Sequence, residues 1–349
     1  MTGSAGRPLR AGVVGLGMMG RNHVRVWDEA VPEAELVAVA DPDSAAVARA
    51  TAGRHARGFT DAERMLAEEE LDLVSIVAPT GLHLPVTLVA LRAGANVLVE
   101  KPIAATREEA TTMIDAAVAA GRMLTVGHIE RFNPAIRELR RRLEAGELGR
   151  IFQISATRLG PFPARIRDVG VVVDLAPHDL DIMRFLLAAE PVRIYAETER
   201  RIHTEHEDLF TGTVRFADGV LGVLNINWVT PTKRRILTVT GERGMYVADY
   251  ITQDLDFYAN PEASWAADDR GGDAQTTMVA EGEVTRRQVR REEPLAVELR
   301  EFARAVRDGG PPPVDPHDAM VALLLARKMV ESAQTGQAIA GPALEAVLT

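Results

Sequence analysis

Asp174, His178 and Asp181 stand at i, i+4 and i+7, a spacing that puts three ionisable side chains on one face of a helix. Histidine titrates near neutrality, so His178 can take the proton of a hydroxyl group as hydride leaves the same carbon. A nearby carboxylate would orient the imidazole and stabilise its charged form. Glu100-Lys101-Pro102 adds an ammonium that can bond a substrate hydroxyl and stabilise its alkoxide, on a backbone that Pro102 fixes in trans or cis. The bland alternatives are a capped amphipathic helix with polar residues in solvent and a lysine held in a salt bridge. The choice of base between Lys101 and His178 stays open, because coupled groups titrate as a pair. No metal is expected, since removing a hydroxyl proton and a hydride from one carbon needs none.

Chemistry of this kind needs a dinucleotide, and Gly15-Leu16-Gly17-Met18-Met19-Gly20 has the fingerprint for one. Gly15 permits a tight turn, Gly17 lets the backbone approach a pyrophosphate, and Gly20 lets the helix pack closely on the strand. Met18 and Met19 then open a helix whose amides and positive dipole end face the phosphates. Asp41 lies about twenty residues beyond, where a carboxylate bonds both ribose hydroxyls and repels a 2′-phosphate, which favours NAD over NADP. Pro79-Thr80-Gly81-Leu82-His83 closes a strand at the same edge. There Pro79, Thr80 and His83, with Glu100 and Lys101, can border the nicotinamide ribose, although Thr80 serves equally well as a helix cap.

For the substrate, Arg158, Arg165 and Arg167 lie in a Gly/Pro-rich stretch leading into the Asp174 helix, and guanidinium groups bind diphosphates bidentately. Solvated arginines paired with acids such as Asp168 are the equal alternative. Arg131 and Asn133 can reach substrate or serve as hinge packing. Trp228 can cover a base, though core packing suits it better.

These residues need a scaffold. The first 127 residues alternate β-branched runs with helical patterns, as βαβ units around a parallel sheet do. Strands are expected at Leu9–Val14, Leu36–Ala40, Leu73–Val77, Asn96–Val99 and Met123–Val126. Beyond residue 150 the alternation becomes that of strands joined by tight turns, with one helix expected at Leu175–Ala188. In that placement Asp174 caps the helix and Pro177 falls in its first turn, where amides lack partners. Helices follow at Pro294–Asp308 and Pro316–Gln334, and residues 260–290 are poorly patterned. The expected fold class is α/β: a Rossmann doubly wound parallel sheet over residues 1–128, then an α+β domain over 129–349 with a large open, mostly antiparallel sheet.

At 349 residues, 46% hydrophobic and 26% charged, the chain can bury a substantial core, and two domains are expected. A net charge of −10 argues against nucleic acid as a partner. With no cysteine, disulfides, thiolate metal sites and cysteine nucleophiles are excluded. No run approaches the ~18 apolar residues of a membrane span, nor does the amino-terminal stretch have a signal-peptide core, so a cytoplasmic protein with no membrane partner is expected.

The glycine motif, the acid after the second strand, Glu100-Lys101-Pro102 and Asp174-x-x-x-His178 ahead of an open sheet, in this order, resemble the Gfo/Idh/MocA oxidoreductase family. The resemblance covers nearly the whole chain. It implies NAD as cofactor, Lys101, Asp174 and His178 as catalytic residues, and a homodimer or homotetramer through the open sheet. Ala176 departs from the glycine common in the family. Within it, Val126–Pro134, Gly160-Pro-Phe-Pro163 and Arg167-Asp-Val-Gly170 are most similar to members that oxidise the C3 hydroxyl of UDP-N-acetylglucosamine. A nucleotide sugar is therefore the expected substrate. The alternatives are a free polyol such as inositol, and a non-catalytic sensor on the same fold.

Overall fold

The computed structural model describes residues 7–163, 169–203, 205–260 and 282–348. Six short strands run parallel in its first unit: β1 (Leu9–Val14), β2 (Ala34–Ala40), β3 (Arg57–Phe59), β4 (Leu73–Ile76), β5 (Asn96–Glu100) and β6 (Leu124–Gly127). Their order, β3-β2-β1-β4-β5-β6, reverses direction at β1, which creates a crevice at the carboxyl ends of β1 and β4. Near-continuous apolar sequence in these strands matches burial on both faces. The crossover helices are α1 (Met18–Glu29), α2 (Ser44–Thr51), α3 (Ala62–Glu68), α4 (His83–Arg92) and α5 (Arg107–Ala120). Several are started by side chains: Asp43 accepts the Ala45 amide, Asp61 the Arg64 amide and Thr106 the Glu109 amide. Of the strands in this unit, β3 was not among those expected.

The second unit begins with α6 (Pro134–Glu144) and β7 (Ile151–Leu159), followed by α7 (Val171–Leu187). Then come β8 (Pro191–Glu199), β9 (Leu209–Phe216), β10 (Leu221–Asn227), β11 (Arg234–Gly241), β12 (Gly244–Asp249), β13 (Asp254–Ala259) and β14 (Val284–Arg287). With β15 (Ile339–Ala340) they form one sheet ordered β14-β13-β12-β11-β7-β10-β9-β8-β15. All neighbours are antiparallel except β7 and β10. Strands β7, β9, β11 and β12 alternate inward and outward residues. On β9, Phe210, Gly212, Val214 and Phe216 are buried, and α7 covers that side of β7, β9 and β10. The Ala217-Asp218-Gly219 turn closes the β9–β10 hairpin, with the Gly219 amide donating to the Phe216 carbonyl.

Two expectations are corrected. Helix α7 starts at Val171, not Leu175, so Asp174 is its fourth residue rather than its cap, and Pro177 lies inside the helix. The second correction concerns α8 (Pro294–Asp308). Its Leu295, Leu299 and Phe302 are buried with Trp27 on the α1 side of the parallel sheet. The first compact unit thus comprises residues 1–132 and 292–324, whereas sequence had assigned everything after 128 to the second domain. The remainder of α9 (Pro316–Thr335) and α10 (Pro342–Leu348) belong to the second unit.

Candidate active site

The turn from β1 into α1 is built around glycine. Gly15 has φ +91°, and a Cβ there would lie 2.6 Å from the Val77 carbonyl oxygen. A Cβ on Gly20 would overlap the Gly15 carbonyl oxygen, so the first turn of α1 sits directly on the loop. Around Gly17 the space is open, with nothing within 4 Å of a Cβ position. Gly17 is also the N-cap of α1 and no side chain caps this helix, which leaves the first-turn amides from Met18, Met19 and Gly20 for an anion. Asp41 follows β2, and its two oxygens accept the Leu16 amide at 2.7 Å and the Asp43 amide at 2.8 Å. The carboxylate is thereby tied to the glycine loop while each oxygen keeps lone-pair capacity for a ribose hydroxyl. This loop fits the pyrophosphate and adenosine ribose of NAD.

Pro79 and Thr80 lie where β4 ends, in a short 3₁₀ turn closed by the Leu82 amide on the Pro79 carbonyl. His83 has a different task from the one expected. Its ring is buried, with Nε2 3.0 Å from the Ala78 carbonyl and Nδ1 3.0 Å from that of Pro102. Burial holds its pKa below the usual histidine value, outweighing the three backbone carbonyls and the Glu100 charge that favour the imidazolium. The ring therefore lies between the loop after β4 and the loop after β5, and in its neutral form its one N–H can donate to only one of these carbonyls at a time.

At the end of β5, the Lys101–Pro102 bond is cis. Glu100 receives the Lys101 amide at 3.2 Å and lies 2.9 Å from Nε2 of His23, a residue of α1 that sequence reading had missed. Burial works against the Glu100 charge, but the His23 bond and charge, the Lys101 amide and the Lys101 charge together keep its carboxyl below the ordinary range. His23 was detectable: Gly20, His23, Val24 and Trp27 form the buried stripe of α1 at i, i+3, i+4 and i+7, with one histidine among apolar residues.

In the second unit, Asp174 is half-buried and His178 and Asp181 are buried on α7. The helix is capped from a distance. The Val171 amide donates to the Glu207 backbone carbonyl at 2.9 Å and the Val172 amide to the Glu207 carboxylate at 3.2 Å. A side chain on Gly170 would overlap that carboxylate. No local signal pointed to Glu207, which precedes β9.

The basic residues divide. Arg158 is 4% exposed and holds Asp179 of α7 through two bonds of 2.7 and 2.9 Å, with its guanidinium 5.3 Å from the Tyr250 ring centroid. This pairing corrects the diphosphate reading of Arg158. Asn133 caps α6, accepting the Ala135 amide and donating to the Tyr250 carbonyl, so its amide is engaged in structure rather than substrate. Arg131 is buried and pairs with Asp318 at 3.1 Å. Arg165 and Arg167 lie outside the described residues. Trp228 is buried and meets Phe162 edge-on. Among the described residues no group of three His, Asp or Glu side chains could hold a metal ion, and no helix is long and apolar enough to cross a membrane.

Comparison with known proteins matches residues 9–128 to the oxidoreductase family with an NAD-binding Rossmann fold, and residues 136–247 to the GFO/IDH/MocA C-terminal domain. The chain belongs to the Gfo/Idh/MocA family. It is an NAD-dependent dehydrogenase. Among Gfo/Idh/MocA relatives, UDP-N-acetylglucosamine 3-dehydrogenase of Acidithiobacillus ferrooxidans is 33% identical over 250 residues, 72% of this chain and 77% of that protein. A crystal structure of that enzyme superposes with a TM-score of 0.81 at 28% identity, covering 94% of this chain and 98% of the other. Inositol 2-dehydrogenase 2 of Saccharopolyspora erythraea is 35% identical over 196 residues, 55% of this chain and 58% of that protein.

Proposed function

We propose that this dehydrogenase oxidises the C3 hydroxyl of a UDP-N-acetylhexosamine, UDP-N-acetylglucosamine in the first instance, to a 3-keto nucleotide sugar. The observation that carries this reading is the reach of the likeness. Similarity to the A. ferrooxidans enzyme extends over 72% of the chain, and similarity to the inositol enzyme over 55%.

NAD, when bound, accepts hydride from the carbinol carbon. The chain's own residues do the rest. The Gly17, Met18, Met19 and Gly20 amides hold the pyrophosphate, and Asp41 holds the ribose hydroxyls. Pro79, Thr80 and Glu100 line the cofactor loop, with His83 fixing it from below. Lys101 and His178 manage the hydroxyl proton, one removing it and the other stabilising the developing alkoxide, while Asp174 orients the site. Arg165 and Arg167 remain the candidates for the diphosphate. A cytoplasmic location and a homodimer or homotetramer through the exposed face of the nine-stranded sheet complete the reading.

A free polyol is the second reading, and the closure of Arg158 on Asp179 favours it by removing one diphosphate ligand. Formation of reduced NAD with UDP-N-acetylglucosamine, UDP-glucose, UDP-N-acetylglucosaminuronate and myo-inositol separates the two. Selective turnover of the acetamido nucleotide sugar supports the first reading. Turnover of inositol alone overturns it.

A further inference from the structure

Two side chains hold the loop between β8 and β9. The buried Asp208 carboxylate gathers its first half, accepting the amides of Arg201 at 2.9 Å, of Ile202, and of His203 at 2.7 Å. The second half has a different acceptor. Nδ1 of His203 receives the Glu205 amide at 3.1 Å and the His206 amide at 3.0 Å, and it is the only acceptor these two amides have among the described residues. A ring nitrogen that accepts carries no proton, so this geometry holds a neutral imidazole protonated at Nε2. Amides two and three residues ahead are the ones that Asn and Asp side chains take in turns. This chain does so elsewhere: Oδ1 of Asn227 accepts from Val229 and Thr230, and Oδ1 of Asp249 from Ile251 and Thr252. At position 203 an imidazole does the same work, and its ring is seated. His203 is buried, with its ring centroid 5.7 Å from that of Phe162 and 5.2 Å from that of His206, each in an edge-on contact. Phe162 belongs to the segment between β7 and α7, so the ring lies against the chain leading into that helix. Glu207 follows the turn directly. Its carbonyl and its carboxylate take the Val171 and Val172 amides at the start of α7, whose fourth residue is Asp174 and whose eighth is His178. Hydrogen bonds and three residues of backbone thus run from His203 to the helix.

We propose that His203 is a positioning residue for Asp174 and His178: through Nδ1 it fixes the turn that presents Glu207, and Glu207 in turn fixes the first turn of α7. This rests on the reading of Asp174 and His178 as reacting residues.

Two measurements test it. The first needs no substrate: amide hydrogen exchange, read by mass spectrometry on peptides that contain Val171 and Val172. His203→Asn keeps an oxygen that accepts both amides, and His203→Leu removes the acceptor at similar volume. Exchange in these peptides should rise about tenfold or more in His203→Leu and stay within about twofold of wild type in His203→Asn. Equal protection in all three proteins overturns the link from ring to helix. A rise in His203→Leu shared by peptides from β1 and α1 marks general loss of the fold and overturns a local role. The second is turnover, read on whichever of UDP-N-acetylglucosamine and myo-inositol the wild type oxidises, so that a wrong sugar does not decide the outcome. His203→Leu should lose kcat about tenfold or more with KM for NAD unchanged, and His203→Asn should stay within about threefold of wild type. Wild-type kcat in His203→Leu, or equal loss in both variants, overturns the positioning role. Unimpaired His178→Ala overturns it together with the reading of His178, while the exchange series still decides whether His203 holds the start of α7.

Discussion

The carboxylate of Glu207 occupies the volume that a side chain on Gly170 would need, and from there it caps the amino end of α7. Cap and glycine are one device. Glu207→Ala should cost about 1 kcal/mol, the usual value of a lost cap. Gly170→Ala should cost about as much, ~1 kcal/mol, by swinging the flexible Glu207 side chain off the amide it caps. In the double variant the second substitution should be nearly neutral, because the obstacle is gone; denaturant unfolding of all four proteins measures this coupling.

A buried ion pair anchors the same helix from β7. Arg158→Ala leaves the buried Asp179 carboxylate without the guanidinium that neutralises it, and should destabilise by about 3–5 kcal/mol in chemical denaturation. Replacing the pair by Arg158→Met with Asp179→Leu should recover most of that loss. If the double variant also retains the KM for a nucleotide sugar, Arg158 has no role in binding the diphosphate.

The extent to which sequence disclosed these arrangements follows from how local each cause is. The edges of β1 and α8 were readable to within a residue because the apolar run of the strand, and the helical period between Pro294 and Gly309, lie in or beside each segment. Strand β3 has three residues, too short for any period. The start of α7 was misplaced because Val171-Val172-Val173 reads as β-branched strand material and its cap comes from Glu207, far along the chain. The glycine loop and Asp41 were legible in the same way, as neighbours in one βαβ unit. Arg158, Asn133 and His83 were legible as polar residues, but their partners, Asp179, Tyr250 and the Pro102 carbonyl, are fixed only by tertiary packing.

Asp41 links cofactor choice to loop geometry, since the Leu16 amide binds the same carboxylate. Asp41→Ser should move the ratio of kcat/KM for NAD over NADP toward NADP by about tenfold or more, one charge–hydrogen-bond exchange being worth about 1.5–3 kcal/mol. Part of the loss with NAD should appear as a raised KM. Kinetics with both cofactors at saturating sugar check it.

His83 predicts an acid limit. Its folded pKa is depressed, so on lowering pH the unfolded chain takes up a proton near pH 6.5 while the folded ring still resists. The His83 contribution is present above about pH 6.5 and is lost as pH falls toward the folded pKa. Wild-type stability should thus decline below pH 6.5 more steeply than that of His83→Asn, in unfolding curves taken from pH 7.5 to pH 5.

Because Leu295, Leu299 and Phe302 complete the core beside Trp27, the dinucleotide-binding unit is interrupted in sequence by residues 133–291. A ribosome adding roughly 5–20 residues per second needs about 10–30 s to make that intervening stretch. Through this interval the α1 side of the parallel sheet has been synthesised but lacks its last helix, and the apolar surface awaiting α8 is open to solvent, to chaperones or to another nascent chain. Synthesis of α8, rather than emergence of the glycine loop, completes the core against which α1 and the cofactor-binding turn at its start are packed.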